Sequence, residues 1–137
     1  MNTISEESLM PAAYDRLLLA FSNLRGYGIE ARICDGEDPE VEMDRIQQQL
    51  RRRFPDATGC CLVALRTDLD CFGPDGEMTK PLLVHQRGLS VRPAARAALG
   101  KFDLAVREGD GSRMLVFDAR SDGNWIQQDS SLAGLQQ

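Results

Sequence analysis

The stretch IEARICDGEDPEVEMDRIQQQLRRRFPDATGCCLVALR, residues 29–66, decides the fold class. Ile29, Ala31 and Ile33 alternate with Glu30, Arg32 and Cys34, the period-two pattern of a half-buried strand. Asp38 is placed to cap a helix whose first position suits Pro39. Glu40 and Glu42 then fall at its positive end, and Arg51, Arg52 and Arg53 at its negative end before Pro55. The spacing predicts a helix over about 39–54 that buries Met43, Ile46, Leu50 and Phe54. From Cys60 to Arg66 the chain is apolar without alternation until its end, as in a strand covered on both faces. Strand, helix, strand in this order implies one parallel crossover unit.

Working outward, Met10, Tyr14, Leu17, Leu18, Phe21 and Leu24 recur at helical spacing, and Gly26 and Gly28 end the pattern, predicting an amphipathic helix over 9–25. On the other side, Pro74 and Gly76 in FGPDGE suit a turn that folds the strand back as a hairpin through 77–86. Ser90 is placed to cap a third helix, with Pro93 in its first turn, Ala94 to Leu99 inside it and Gly100 as its stop. Phe102, Leu104 and Val106 then alternate with Asp103, Ala105 and Arg107, and EGDGS turns the chain into Met114–Phe117 as a second hairpin. The expected order is α-β-α-β-β-α-β-β. That is a single α+β domain over 1–137, a mixed sheet of about five strands with three helices on one or both faces. Residues 1–8 and 121–137 are expected to be flexible ends, the latter anchored only through Trp125, Ile126, Leu132 and Leu135.

With 137 residues, 42% of them apolar and 27% charged, the chain has the makings of one hydrophobic core and is too apolar for wholesale disorder. Apolar runs such as Cys60–Leu65 fall far short of the roughly 18–20 residues of a membrane helix. The start MNTISEESLM has neither the basic region nor the apolar core of a signal peptide. The expectation is a cytosolic protein with no membrane contact, no cofactor, and cysteines kept as thiols.

Cys60 and Cys61 are neighbours, so on a strand they point to opposite faces, and only one could join Cys34, Cys71 or His85 around a metal. Packing is therefore the expected role of the thiols. In the proposed hairpin, Cys71 falls opposite residues near 78–80 and not opposite His85, which argues against a Cys–His enzyme. Asp68, Asp70, Asp75 and Glu77 surround the turn. Asp68, Asp70 and Gly73 fit a calcium-loop spacing, but Phe72 and Thr79 stand where two further acidic ligands belong, and no metal site is expected.

Charge is unevenly spread. Met78 to Phe102 contains no Asp or Glu and contributes +5 through Lys80, Arg87, Arg92, Arg96 and Lys101, leaving −10 for the rest of a chain whose net charge is −5. Arg92 and Arg96 share a helix face. With Arg87 and Ser90 they surround a helix N-terminus, where backbone N–H groups favour an anion. No GxxxxGKS, GxGxxG or GxSxG motif is present. The leading expectation is a small interaction module that binds a protein partner, or a second copy of itself, through a charged surface and without catalysis. The alternative is an anion-binding domain for phosphate, a nucleotide or a nucleic-acid backbone, built on Arg87, Ser90, Arg92 and Arg96.

Overall fold

The computed structural model describes residues 11–56 and 59–120. Its elements run α1 (Ala13–Gly26), β1 (Glu30–Cys34), α2 (Pro39–Arg53), β2 (Cys61–Leu65), a 3-10 helix (Arg66–Cys71), β3 (Leu82–Arg87), α3 (Val91–Lys101), β4 (Leu104–Glu108) and β5 (Arg113–Asp118). The strands form one sheet in the order β1-β2-β3-β5-β4. β1 and β2 are parallel and every other neighbouring pair is antiparallel, so the fold is α+β with a mixed five-stranded sheet, as the residue pattern implies. The end segments 1–8 and 121–137 lie outside the described residues, as do Met10 and the four tail anchors.

Local chemistry explains most element ends. Asp38 Oδ1 accepts from the Glu40 amide at 2.9 Å and Pro39 opens α2. Met43 and Ile46 are buried beneath it and Leu50 packs at their edge. Phe54, expected in that stripe, is instead 56% exposed, because the helix has ended and Phe54 caps it through its amide. Ser90 precedes α3 but makes no side-chain capping bond. Gly100 does not stop α3, which continues to Lys101; the chain leaves it through Asp103, whose φ is +61°. Gly88 has φ +127° and packs against Cys60, the residue before β2, where a Cβ would lie 2.6 Å from Cys60 Sγ, so only glycine fits.

The expected long hairpin is corrected. β2 ends at Leu65, and Arg66–Cys71 wind into the 3-10 helix; only Phe72 and Met78 bridge around the turn, where Gly73 donates to Glu77 O at 2.8 Å. β3 does return antiparallel to β2, but it starts at Leu82 and leaves 77–81 outside the strand.

The sheet separates two cores. On one face, Leu17, Phe21 and Leu24 of α1 and Val91, Ala95 and Leu99 of α3 pack on Ala31, Leu62, Val84, Met114, Val116 and Val106 from all five strands. On the other, Met43 and Ile46 of α2 cover Cys34, Cys61, Val63 and Leu65 from β1 and β2. Cys60 and Cys61 accordingly fall into different cores, one on each side of the sheet.

An arginine ties the first face shut. Arg16, 3% exposed, donates to Asp118 Oδ2 at 2.7 Å and Oδ1 at 3.2 Å, to the carbonyls of Phe102 and Asp103 at 3.0 and 3.1 Å, and to Pro11 O at 3.1 Å. The guanidinium thus joins the start of α1, the end of α3 and the end of β5, and its buried charge is matched by a carboxylate and carbonyls.

Candidate functional site

Beyond α2, the second face of the sheet carries partly buried side chains of β3, β5 and β4. Side chains that share a face are fixed by register: Leu83 pairs with Leu115, His85 with Arg113, Ala105 with Phe117 and Arg107 with Leu115. Leu83, Leu115, Phe117 and Ala105 are half-buried, in contrast to Leu82, Val84, Met114 and Val116 on the opposite face of the same strands, which are fully buried. Among the described helices, α2 reaches the margin of this half of the sheet and the 3-10 helix touches β3. The surface is apolar towards Leu83, Phe117 and Ala105 and cationic towards the β4–β5 hairpin, where Arg107 and Arg113 stand. None of the β3, β4 or β5 residues on this face is acidic.

Its wall on the α2 side is polar. Glu40, Asp44 and Gln47, spaced along one side of α2, clasp Arg87 of β3 at 2.5, 2.6 and 2.9 Å. His85 lies just inside this wall and is 6% exposed. Burial pushes its pKa below the ordinary 6.5, against the opposing pull of Asp68 and Glu40. Arg113, across from it, is half-exposed and reaches Asp110 at 3.8 Å.

Of the four residues expected to hold an anion, the three arginines are engaged by two sets of partners within the protein. Arg87 turns to α2. Arg92 and Arg96 turn together to β4 and meet on Glu108: Arg96 Nη2 bonds Oε2 at 2.6 Å, while Arg92 bonds Oε1 and also the Gly111 carbonyl. With the Gln86 amide oxygen turned towards it, Arg92 gains a further acceptor at 3.2 Å. The bond from Arg96, with Arg92 beside it, holds the Glu108 carboxyl below the usual range. An anion at the start of α3 would have to displace these partners.

Arg96 has a second role that the sequence did not reveal. Its Nη1 donates to Val106 O at 3.2 Å, on the outer side of edge strand β4. At the opposite edge, Arg25 of α1 donates to Ala31 O of β1 at 2.7 Å. Each edge strand therefore has a carbonyl occupied by an arginine from a neighbouring helix, which blunts strand addition there.

All four cysteines are buried thiols. Desolvation raises Cys61 and Cys71 to about 11, and burial followed by the Glu42 carboxylate raises Cys34. Cys71 lies in the core beneath α1 and α3, whereas His85 shares the opposite face with Val63. Among the described residues no group of three or more His, Cys, Asp or Glu is placed to hold a metal ion. A shallow groove of about 270 Å³ between α1 and α3 is lined by Asn23, Tyr27, Ala94, Ala97, Ala98 and Lys101, with Lys101 Nζ 5.6 Å from the Tyr27 ring centroid.

Comparison with known proteins gives no matching family model, no matching curated sequence and no matching solved structure.

Proposed function

We propose that the protein is an interaction module that binds a protein partner through the open half of its second sheet face, over β3, β5 and β4, without catalysis of its own. One observation carries this reading. In β5, Met114, Leu115, Val116 and Phe117 are apolar in succession, the signature of a strand buried on both faces. β2, with the same signature in CLVAL, is buried at every position, while Leu115 and Phe117 are only partly buried. The residues are chosen for a cover that α2 supplies only over β1 and β2.

The guarded edges favour contact through a face over strand addition. Arg87, Arg92 and Arg96, which the sequence offers as a charged surface, are held by the protein's own carboxylates, which favours the sheet face over them.

A photo-crosslinking residue in place of Leu83, introduced into cells that express the chain, tests the reading. Protein-sized adducts are expected at position 83 and not at Leu18, an exposed position on α1, and they are expected to vanish when Leu115→Asp is added. Adducts of equal yield at both positions, or none at position 83, would overturn it.

A further inference from the structure

The strands divide the surface of the molecule into two ends. The registers Glu30 to Cys61 and Cys61 to Arg87 put the start of β1, the start of β2 and the end of β3 side by side, and Gly88 sits against Cys60 there. Tyr27, Phe54 and Leu89 stand on the three chain segments at that end. At 70%, 56% and 103% exposed, they are the three most exposed large apolar side chains among the described residues. Arg51, Arg52 and Arg53, all exposed, close α2 at the same end. Gln47 Nε2 bonds Gly59 O at 3.0 Å, so these arginines lie roughly 6–9 Å further along the helix axis, beyond the start of β2.

Their charges are unspent. Arg16, Arg66, Arg87, Arg92 and Arg96 each meet a carboxylate of the protein, whereas no hydrogen bond or ion pair holds Arg51, Arg52 or Arg53 among the described residues. Arg53 lies instead 5.6 Å from the ring centroid of Phe54, as Lys101 does from that of Tyr27, so both exposed rings carry a cation. The opposite end is acidic: Asp35, Glu37 and Asp38 follow β1, and Asp68, Asp70, Asp75 and Glu77 follow β2. The molecule is polarised along its strands.

We infer that the cationic end is a docking surface for an anionic lipid bilayer, with Tyr27, Phe54 and Leu89 entering the headgroup region and Arg51, Arg52 and Arg53 on lipid phosphates and carboxylates. Successive helix residues are about 100° apart, so the three guanidiniums fan over about 200° around the end of α2. Such a fan does not converge on one small anion, and a linear polyanion would follow only one side of it; a plane across the helix end meets all three. Leu89, an aliphatic tip with no ring to stack on a base, fits the same plane. The acidic end then points away from the surface, and the field of the whole chain orients the contact. The expectation of no membrane contact rested on spanning and signal segments, and a peripheral contact needs neither. This surface is separate from the sheet face of the proposed function, and each has its own experiment.

Sedimentation of the full chain with sucrose-loaded vesicles is the test. At low salt, binding to phosphatidylcholine vesicles with about one-third phosphatidylserine is expected to exceed binding to pure phosphatidylcholine at least tenfold, and to fall away as salt rises to about 0.5 M. Arg52→Gln should weaken it about fivefold, and the triple variant Arg51→Glu, Arg52→Glu, Arg53→Glu should abolish it. Leu89→Ser, at a fully exposed position, should weaken it about fivefold, while Lys80→Gln at the acidic end should bind as the wild type does. A nitrobenzoxadiazole dye on Leu89→Cys should brighten and shift to the blue on the anionic vesicles, and the same dye on Leu18→Cys should not.

Equal sedimentation with both vesicle types, none with either, or full binding by the triple variant would overturn the inference. Capture of a single-stranded oligothymidylate of about twenty bases at the same salt, with no dye response on vesicles, would assign the arginines to nucleic acid and equally overturn it.

Discussion

Leu82 and Leu83 are neighbours on β3, yet Leu82 is fully buried beneath the α1–α3 layer and Leu83 is only partly buried beyond the margin of α2. The face under Leu82 is closed by two helices, a continuous aliphatic core and a buried arginine at its corner. On the face under Leu83, α2 covers β1 and β2 and clasps Arg87 of β3, while Leu83, Leu115 and Phe117 are partly buried. Apolar content alone does not separate them, for both faces of β5 are apolar. What separates them is the supply of covering elements among the described residues: two helices on the first face and one, over β1 and β2, on the second.

The largest test of this contrast is at the closed corner. Arg16→Ala leaves Asp118 buried without its cation and is expected to cost about 3–5 kcal/mol in urea unfolding. The double replacement Arg16→Met with Asp118→Leu should recover most of that loss. A comparable loss at Leu115, on the open face, would erase the distinction.

Next is the pair on β3 itself: Leu82→Ala should cost roughly 2–5 kcal/mol and Leu83→Ala less than about 1 kcal/mol, measured by the same unfolding curves. Asp38→Ala, which removes the α2 cap at the edge of the half-covered face, should cost about 1 kcal/mol and leave the α1–α3 core intact by near-ultraviolet dichroism.

The smallest effect is a dependence on pH. His85 has its folded pKa lowered by burial, so the unfolded chain binds the proton more readily. Its contribution is present above the ordinary value near 6.5 and is lost as pH falls below it. The stability profile should bend downward from about pH 7 to pH 5, and His85→Gln should flatten that bend.

Much of the architecture was legible because short-range rules act in single elements. The alternation of Ile29 to Cys34, the Asp38–Pro39 start and the unbroken apolar run of β2 each named their element, and the order of elements followed. The 3-10 helix was missed because Leu69 and Cys71 continue an apolar spacing that a strand also satisfies. The surroundings of the basic segment were not legible, since sequence shows which residues are cationic but not which acids fold against them; the partners Glu40, Asp44 and Glu108 come from other elements. A signal for Arg16 did exist. It stands on the buried stripe of α1 between Ala13 and Ala20, and Asp118 stands on the buried side of β5 after Met114 and Val116. Opposite charges interrupting two apolar patterns are the mark of a buried pair.

That pair also dictates an order of events in time. Arg16 bonds groups 86, 87 and 102 positions away in the chain, so its interactions form only after α3 and β5 have docked. Loop closure over such distances comes late, and contacts absent from the transition state govern how slowly the native state opens. Arg16→Met should therefore speed unfolding far more than it slows refolding, which makes a single guanidinium near the N-terminus a determinant of the native lifetime.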